Sequence, residues 1–252
     1  MNILILGGTA EAMQLADTVA ALPEFHAVFS YAGRTREPVA PAIPYRVGGF
    51  GGVEGLRAYV REHQVAAVID ATHPFAAQIS ANAVQACAAE DVPLCVLSRA
   101  PWQATDDDLW ISVPDIAASV DALGDAPARV FLTVGRLHIC VFARAPRHHY
   151  IVRSIEPPDD LSFLPDHKLI LARPHFTYES ERELMRNERV DILVTKNSGA
   201  ASTAPKLAAA RDLGIRVVMI ERPRAADALT FHRPEDVIAW LRAQRDHVSL
   251  RP

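Results

Sequence analysis

Three consecutive residues near the start of the chain, Gly7, Gly8 and Thr9, have the types and spacing of a phosphate-binding turn. They follow four large aliphatic residues, 3–6, which predict a strand buried on both faces of a parallel sheet. A helical pattern comes next, and the N–H groups at a helix start bind anions, while glycine lets a pyrophosphate approach the backbone. Because Thr9 replaces the middle glycine of the G-x-G-x-x-A motif, a nucleotide site and an ordinary strand–helix turn both remain open.

The loop after the second predicted strand, residues 27–32, indicates which dinucleotide would bind. NAD-specific proteins place an acidic residue there for the ribose 2′-hydroxyl. This chain has Ser30, Arg34 and Arg36 instead, and their hydroxyl and guanidinium groups suit a 2′-phosphate. The residues therefore favour NADP over NAD, and the alternative is a solvated basic loop.

Two further strand ends carry residues suited to the close approach of a ligand. Gly51 and Gly52 close the most glycine-dense stretch of the chain, which follows a short predicted strand. Thr72 and His73 follow the next apolar strand, and we expect one of them to cap a helix with Pro74 in its first turn. We predict that both loops contribute to the nucleotide site. For the glycine stretch, the alternative is a flexible connection.

In the second half of the chain, the predicted strand ends carry cations, amides and hydroxyls. Open α/β sheets bind ligands at the carboxyl ends of their strands, so we expect these side chains to meet one ligand. Arginine and lysine there suit a polyanionic substrate, because guanidinium groups bind carboxylates with paired hydrogen bonds. An ion pair is the alternative, which we favour for Arg222 and not for Lys196. The candidate substrate-binding residues are Thr133, Gly135, Arg136, Arg173, Lys196, Asn197, Ser198 and Gly199.

The elements that must position these residues alternate between apolar strands and helical patterns along the whole chain. This alternation predicts an α/β fold with parallel sheets. A change of composition near Trp102 and an acidic run at residues 106–108 indicate a boundary. We therefore predict an NADP-binding domain over residues 1–98 and a substrate-binding α/β domain over residues 99–252.

The overall composition limits the partners that the protein can have. Half of the 252 residues are apolar and the net charge is −4, which argues against a nucleic-acid or anionic-membrane surface. The three cysteines, Cys87, Cys95 and Cys140, lack metal-binding spacing, and no apolar run approaches the ~18 residues of a membrane span. Serine-hydrolase and P-loop motifs are absent as well. We expect a cytoplasmic protein that binds a small molecule and no metal.

Eight short motifs stand in order along the chain: ILGGTAEA, SYAGRT, GGFGG, DATHPFA, TVGR, ARPHF, VTKNSGA with Lys206 after it, and VVMIERP. In this order they resemble the precorrin-6A reductase family of cobalamin (vitamin B12) biosynthesis. The resemblance implies two Rossmann-like α/β domains with parallel sheets and a cleft between them, NADPH in the amino-terminal domain, and reduction of one double bond of the precorrin-6A macrocycle to give precorrin-6B. The chain departs from the family pattern at Ala200-Ala201, where glycines are expected, and at His175.

With this resemblance, the candidate residues divide by role. The candidates for binding NADPH are Gly7, Gly8, Thr9, Ala10, Glu11, Ser30, Arg34, Gly51, Gly52, Thr72 and His73. The catalytic candidates are Lys196, His73 and Arg136, with His73, Lys196 and bound water as possible proton donors to the tetrapyrrole substrate. Two other functions remain open: an NADP-dependent reductase of another polyanionic small molecule, and a non-catalytic NADP-binding sensor. Consumption of NADPH with a tetrapyrrole acid would separate enzyme from sensor.

Overall fold

The computed structural model describes residues 1–33, 39–223 and 228–249, and they form two compact units. The first unit contains Met1–Ala100 and the C-terminal residues 228–249, and the second unit contains Pro101–Pro223. In the described part of the chain, no helix is long and apolar enough to cross a membrane.

The elements alternate as the sequence predicts. The first part of the chain forms β1 (Asn2–Leu6), α1 (Ala10–Ala20), β2 (His26–Tyr31), β3 (Tyr45–Val47), α2 (Gly52–Glu62), β4 (Ala67–Asp70), α3 (Ala77–Ala89) and β5 (Leu94–Leu97). The remainder forms β6 (Trp110–Val113), α4 (Ile116–Asp121), β7 (Arg129–Thr133), a 3-10 helix (Arg136–Arg144), β8 (His149–Ser154), β9 (His167–Leu171), α5 (Tyr178–Asn187), β10 (Ile192–Lys196), a 3-10 turn (Ala201–Thr203), α6 (Pro205–Asp212), β11 (Arg216–Ile220), β12 (Leu229–Phe231) and α7 (Pro234–Ser249).

Each unit contains one six-stranded parallel sheet. The strand order is β12-β5-β4-β1-β2-β3 in the first unit and β6-β11-β10-β7-β8-β9 in the second. In both, one inner strand (β1 or β7) lies between the strand that follows it in the chain and a later strand (β4 or β10). The prediction of two Rossmann-like α/β sheets with parallel strands is therefore confirmed.

The continuous apolar runs of the strands reflect burial on both faces. In the first unit, Ile3 and Ile5 pack with Leu15 of α1 and Leu241 of α7, whereas Leu4 and its neighbours pack with α2 and α3. Since α1 and α3 cover opposite faces, the chain changes face between β1 and β4. Ligands bind in open α/β sheets at such a switch point, outside the carboxyl ends of the strands.

The predicted division into residues 1–98 and 99–252 needs correction at the C-terminus. Strand β12 pairs with β5, with Leu229 opposite Cys95, and Val237 of α7 is buried in the core of the first unit. The physical reason is that β5 would otherwise be an unpaired edge strand, and the apolar side of α7 covers that end of the sheet. The end of the chain thus returns to the first unit.

Candidate functional sites at the strand ends

The turn after β1 shows two glycines with different roles. The Gly7 N–H donates to the Ser30 carbonyl at 3.0 Å, and a Cβ at Gly7 would lie 2.0 Å from Cζ of Phe29. Gly7 is therefore required by packing. Gly8 has φ +129°, and a Cβ there would meet no atom within 4 Å. The open space that a phosphate needs lies at Gly8.

Thr9 joins the two loops at the switch point of the first unit. Its hydroxyl caps α1 by accepting from the Ala12 N–H at 3.1 Å, and it donates to the Ala71 carbonyl after β4 at 2.9 Å. Because this hydroxyl proton is already used, an anion bound here would accept from backbone N–H groups in the first turn of α1, at Ala10 and Glu11.

The side chain of Glu11 forms an ion pair with Arg99, which the sequence analysis did not single out. The Arg99 Nη1 donates to both carboxylate oxygens, at 2.8 and 3.0 Å, and both side chains are largely buried. The guanidinium offsets a negative charge that would repel a phosphate at this helix start. The sequence signal that could have identified Arg99 is its position two residues after the end of β5.

At the end of β2, Ser30 is buried and bonded to a second overlooked arginine. Arg46 donates from Nη1 to Ser30 Oγ at 2.8 Å and to the Gly48 carbonyl at 2.8 Å, and from Nη2 to the Gly49 carbonyl at 3.1 Å. Its guanidinium also lies 4.1 Å from the centre of the Phe50 ring. Arg34 and Arg36 lie outside the described residues.

The glycine stretch turns the chain into α2. Gly51 is the residue before the helix and has φ +82°, and Gly52 has φ +86°. Residues other than glycine rarely adopt such positive φ angles. A Cβ at Gly55 would lie 1.6 Å from the Phe50 carbonyl oxygen. The two positive φ angles explain Gly51 and Gly52 without a ligand, while the space at both positions is open.

After β4, the chain forms tight turns rather than the expected helix start at Pro74. The buried Asp70 accepts from the Thr72 N–H at 3.1 Å and from the Thr72 hydroxyl at 2.6 Å, and α3 begins only at Ala77. These side-chain bonds hold the turn outside helical geometry. His73 Nδ1 accepts from the Phe75 N–H at 3.2 Å, so the proton of the neutral ring lies on Nε2.

In the second unit, the β7 and β10 ends flank the corresponding switch point. Thr133 donates its hydroxyl to the Val194 carbonyl at 3.1 Å, which ties the two strands together. Gly135 has φ +80°, and Arg136 forms an ion pair with Glu156 at 3.4 Å. Lys196 is the last residue of β10, and Arg136 lies three residues after the end of β7. The two strands are neighbours, about 5 Å apart.

The loop after Lys196 is held in place on both sides. The buried Asn197 accepts from the Trp102 N–H at 2.7 Å and donates to the Trp102 carbonyl at 3.1 Å. Arg222 donates to the Asn197 carbonyl at 2.9 Å and to the Ser198 carbonyl at 3.1 Å. Both polar groups of the Asn197 side chain are thus used within the protein, and Arg222 braces this loop through two backbone carbonyls.

The remaining candidates of this half differ in position. The Ser198 hydroxyl accepts from the Ala200 N–H at 3.4 Å, and Gly199 has φ +69°, so both shape the turn that leads to α6. Arg173 is exposed and follows β9, the edge strand, which lies three strands away from β10, or about 14 Å. The fold therefore places Arg136 and Lys196 at the ends of neighbouring strands and Arg173 after the edge strand.

Comparisons with known proteins agree on one family. The family model for the precorrin-6x reductases CbiJ/CobK matches residues 2–242. The chain is 51% identical to a precorrin-6A reductase of Rhodobacter capsulatus, covering 95% of each chain, and 30% identical to a cobalt-precorrin-6A reductase of Priestia megaterium, covering 73% of this chain and 76% of that one. It is also similar to a solved structure of CobK precorrin-6A reductase, with a TM-score of 0.91, 50% identity and 97% of each chain covered.

Proposed function

The chain belongs to the precorrin-6x reductase (CbiJ/CobK) family, and from this premise we propose that its first unit binds NADPH and its second unit binds the substrate. The reaction is that of a precorrin-6A reductase in cobalamin biosynthesis, an oxidoreductase acting on a CH–CH group. A member of this family requires a nicotinamide cofactor. The choice of NADPH and the division between the units are our proposals.

The observation that carries the cofactor assignment is the open space at Gly8. It lies beside the start of α1 and at the switch point of a parallel sheet, where dinucleotides bind in open α/β folds. The packing of Gly7 on Phe29 and the Thr9–Ala71 bond hold this turn in shape before any ligand arrives. The NADPH pyrophosphate would accept hydrogen bonds from the backbone of the turn.

The substrate assignment rests on the two cations at the switch point of the second unit. Lys196 and Arg136 follow neighbouring strands, and the loop that presents Lys196 is fixed by Asn197 and Arg222. A positive charge that is held in place suits the carboxylates of a tetrapyrrole acid and the charge that develops during reduction. Arg173, which follows the edge strand β9, is not included in this proposed site.

When bound, the cofactor supplies a hydride to one carbon of the substrate double bond, and the other carbon takes a proton. Among the proposed donors, His73 is the one whose ring orientation is defined. Its Nδ1 accepts from the Phe75 N–H, so the proton of the neutral ring lies on Nε2, and we propose that the substrate carbon receives its proton at this side of the ring. Lys196 stabilises charge and positions the substrate. His73→Asn should lower kcat by a larger factor than it raises the Kd of NADPH; an unchanged kcat would assign the proton to water or Lys196.

The central test is NADPH oxidation with precorrin-6A, followed by mass analysis for the gain of two hydrogen atoms. We expect turnover with precorrin-6A and none with NADPH alone. Binding of NADPH without turnover would identify a sensor instead. Turnover only with another polyanionic compound would identify a different reductase.

The same assay distinguishes two forms of the macrocycle. The 51% identical relative is named for precorrin-6A, whereas the relative named for the cobalt-bearing form is only 30% identical. We therefore propose the metal-free macrocycle as the substrate. A higher kcat/KM with cobalt-precorrin-6A than with precorrin-6A would contradict this choice.

A further inference from the structure

Three charged side chains form a buried ionic cluster in the second unit: Arg153 of β8, Glu181 of α5 and Lys206 of α6. Their exposed fractions are only 7%, 2% and 4%, respectively. Arg153 and Glu181 form an ion pair, and the guanidinium lies 3.9 Å from the centre of the Phe176 ring. The proposed function makes no use of any of them.

Lys206 is the member of this cluster whose buried charge lacks a hydrogen bond among the described residues. Its Nζ lies 5.4 Å from the centroid of the Trp102 ring. Glu181 Oε2 also lacks a hydrogen-bond partner among the described residues. Replacing buried charges with apolar side chains is often neutral or stabilising, so a buried lysine in this setting suggests a functional reason.

The position of the cluster supplies that reason. Arg153 is next to the last residue of β8, while Glu181 and Lys206 lie in the first turns of α5 and α6. Helices that follow parallel strands begin at the carboxyl edge of the sheet. The cluster therefore lies at the same edge of the second sheet as Lys196.

Trp102 connects the cluster to the Lys196 loop. Its ring meets the ammonium of Lys206, and its backbone N–H and carbonyl are both bonded to the side chain of Asn197. Asn197 directly follows Lys196 in the chain. A shift of Trp102 would therefore move the residue next to the proposed substrate-binding lysine.

We propose that Lys206 is a positioning residue of the reductase, whose ammonium holds Trp102 and, through Asn197, the loop that presents Lys196 to the substrate. This inference rests on the proposed function of the second unit. A purely structural lysine would fill space equally well in either charge state. A positioning lysine acts only while it carries the charge that attracts the Trp102 ring.

The charge of Lys206 changes near neutral pH. Burial, and after it the positive charge of Arg153, lowers the pKa of Lys206, while the negative charge of Glu181 acts in the opposite direction. The resulting pKa of Lys206 is about 7. Arg153 and Glu181 are the charged groups that act on it from β8 and α5. As the pH rises through 7, the ammonium loses its proton and the attraction to the Trp102 ring is lost. The KM for precorrin-6A should then rise.

The test compares three variants with the wild type between pH 6 and 8.5. Lys206→Met should raise the KM for precorrin-6A about tenfold at pH 6.5, with an NADPH Kd within twofold of the wild type and no inflection near pH 7. Lys206→Arg keeps the charge and should restore a low KM without the inflection. Lys168→Met, at an exposed lysine on β9, is the matched control and should keep the wild-type profile. A folded Lys206→Met protein with the KM and pH profile of the wild type would overturn the proposal.

A second measurement does not depend on turnover. Fluorescence of Trp102, obtained as the difference between the wild type and Trp102→Phe, should titrate near pH 7, and Lys206→Arg should abolish this transition. A transition that persists in Lys206→Arg, or none in the wild type, would show that Lys206 does not control Trp102. If the wild type titrates but does not reduce precorrin-6A with NADPH, the proposed function fails and the Lys206–Trp102 link stands.

Discussion

Five strands of each unit, β5-β4-β1-β2-β3 and β11-β10-β7-β8-β9, have the same order, yet the loops at their switch points carry different chemistry. After β1, Gly8 leaves open space before the full α-helix α1, whereas after β7, Gly135 leads directly to Arg136 and a 3-10 helix. After β4 the chain has Thr72 and His73, whereas β10 ends in Lys196. The shared topology sets where a ligand can bind, and the few residues after each strand decide which ligand it is.

The arginines of the two units also differ in what they hold. In the first unit, Arg99 pairs with Glu11 and Arg46 bonds Ser30, so both act on residues of the proposed nucleotide site. In the second unit, Arg222 fixes the backbone beside Lys196. In each unit, arginines bound within the protein hold the loops in shape.

The largest expected effect is a pH-dependent loss of stability in the second unit, which the first unit should not show. The folded pKa of Lys206 is about 7 and that of an unfolded lysine is about 10.5, so as the pH falls through this window the unfolded chain takes up the proton first. Stability is therefore lost from pH 10.5 down to 7, by roughly 5 kcal/mol at most, since one pKa unit corresponds to about 1.4 kcal/mol.

Hydrogen exchange can locate this effect in one unit. The opening free energy of β10 amides, corrected for intrinsic rates, should rise between pH 7 and 9 in the wild type relative to Lys206→Met. The corresponding difference for β4 amides in the first unit should be near zero. Equal slopes in β10 for the two proteins would show that Lys206 does not titrate in this window.

The next effect concerns catalysis by the second unit. Lys196→Ala should lower kcat/KM for precorrin-6A by about 10²–10³-fold, the loss typical of removing one charge-stabilising donor. The NADPH Kd should stay within about twofold, because the proposed nucleotide site lies in the other unit. Lys168→Ala is the control for loss of a lysine. Loss of NADPH binding in Lys196→Ala would reverse the assignment of the two units.

A matched pair of glycine changes compares the two switch points directly. Gly8 and Gly135 both have positive φ angles and open space, so valine strains the backbone at either position. Gly8→Val should weaken NADPH by at least about a hundredfold, since two or more bonds to phosphate are lost at ~1.5–3 kcal/mol each. Gly135→Val should leave the NADPH Kd unchanged. Calorimetry on the folded proteins measures both NADPH affinities. Equal affinities of Gly8→Val and Gly135→Val would show that the pyrophosphate does not bind at Gly8.

The sequence was sufficient for the parts of the fold that depend on local patterns. Continuous apolar runs such as residues 3–6 and 130–132 indicated parallel strands, and both are buried in the sheets. The place of β12 could not be read in this way. Its three residues carry little pattern, and their pairing with β5 depends on an edge left open more than a hundred residues earlier in the chain.

The candidate sites were predictable in position more than in side-chain detail. Strand ends identified the loops of Gly8 and Lys196, because parallel topology places them at one edge. The amide of Asn197 was expected to bind substrate, but it bonds the backbone of Trp102, 95 residues away. Such pairings come from tertiary packing, which spacing along the chain does not encode.

The smallest expected effect separates two arginines of the first unit, one that selects the cofactor and one that shapes its site. Arg34, proposed from the sequence to bind the 2′-phosphate, should distinguish NADPH from NADH, since one charge-assisted bond contributes ~1.5–3 kcal/mol, or about ten- to hundredfold. Arg34→Ala should therefore weaken NADPH binding by that factor and barely change NADH binding.

Arg46 bonds Ser30 and the carbonyls of Gly48 and Gly49, so its loss disturbs the loop for either cofactor. Arg46→Ala should weaken NADPH and NADH to a similar extent. The measurement is kcat/KM with both cofactors for the wild type and both variants. Equal use of the two by the wild type would show that this loop does not recognise the phosphate, and a selective loss in Arg46→Ala alone would transfer the recognition from Arg34 to Arg46.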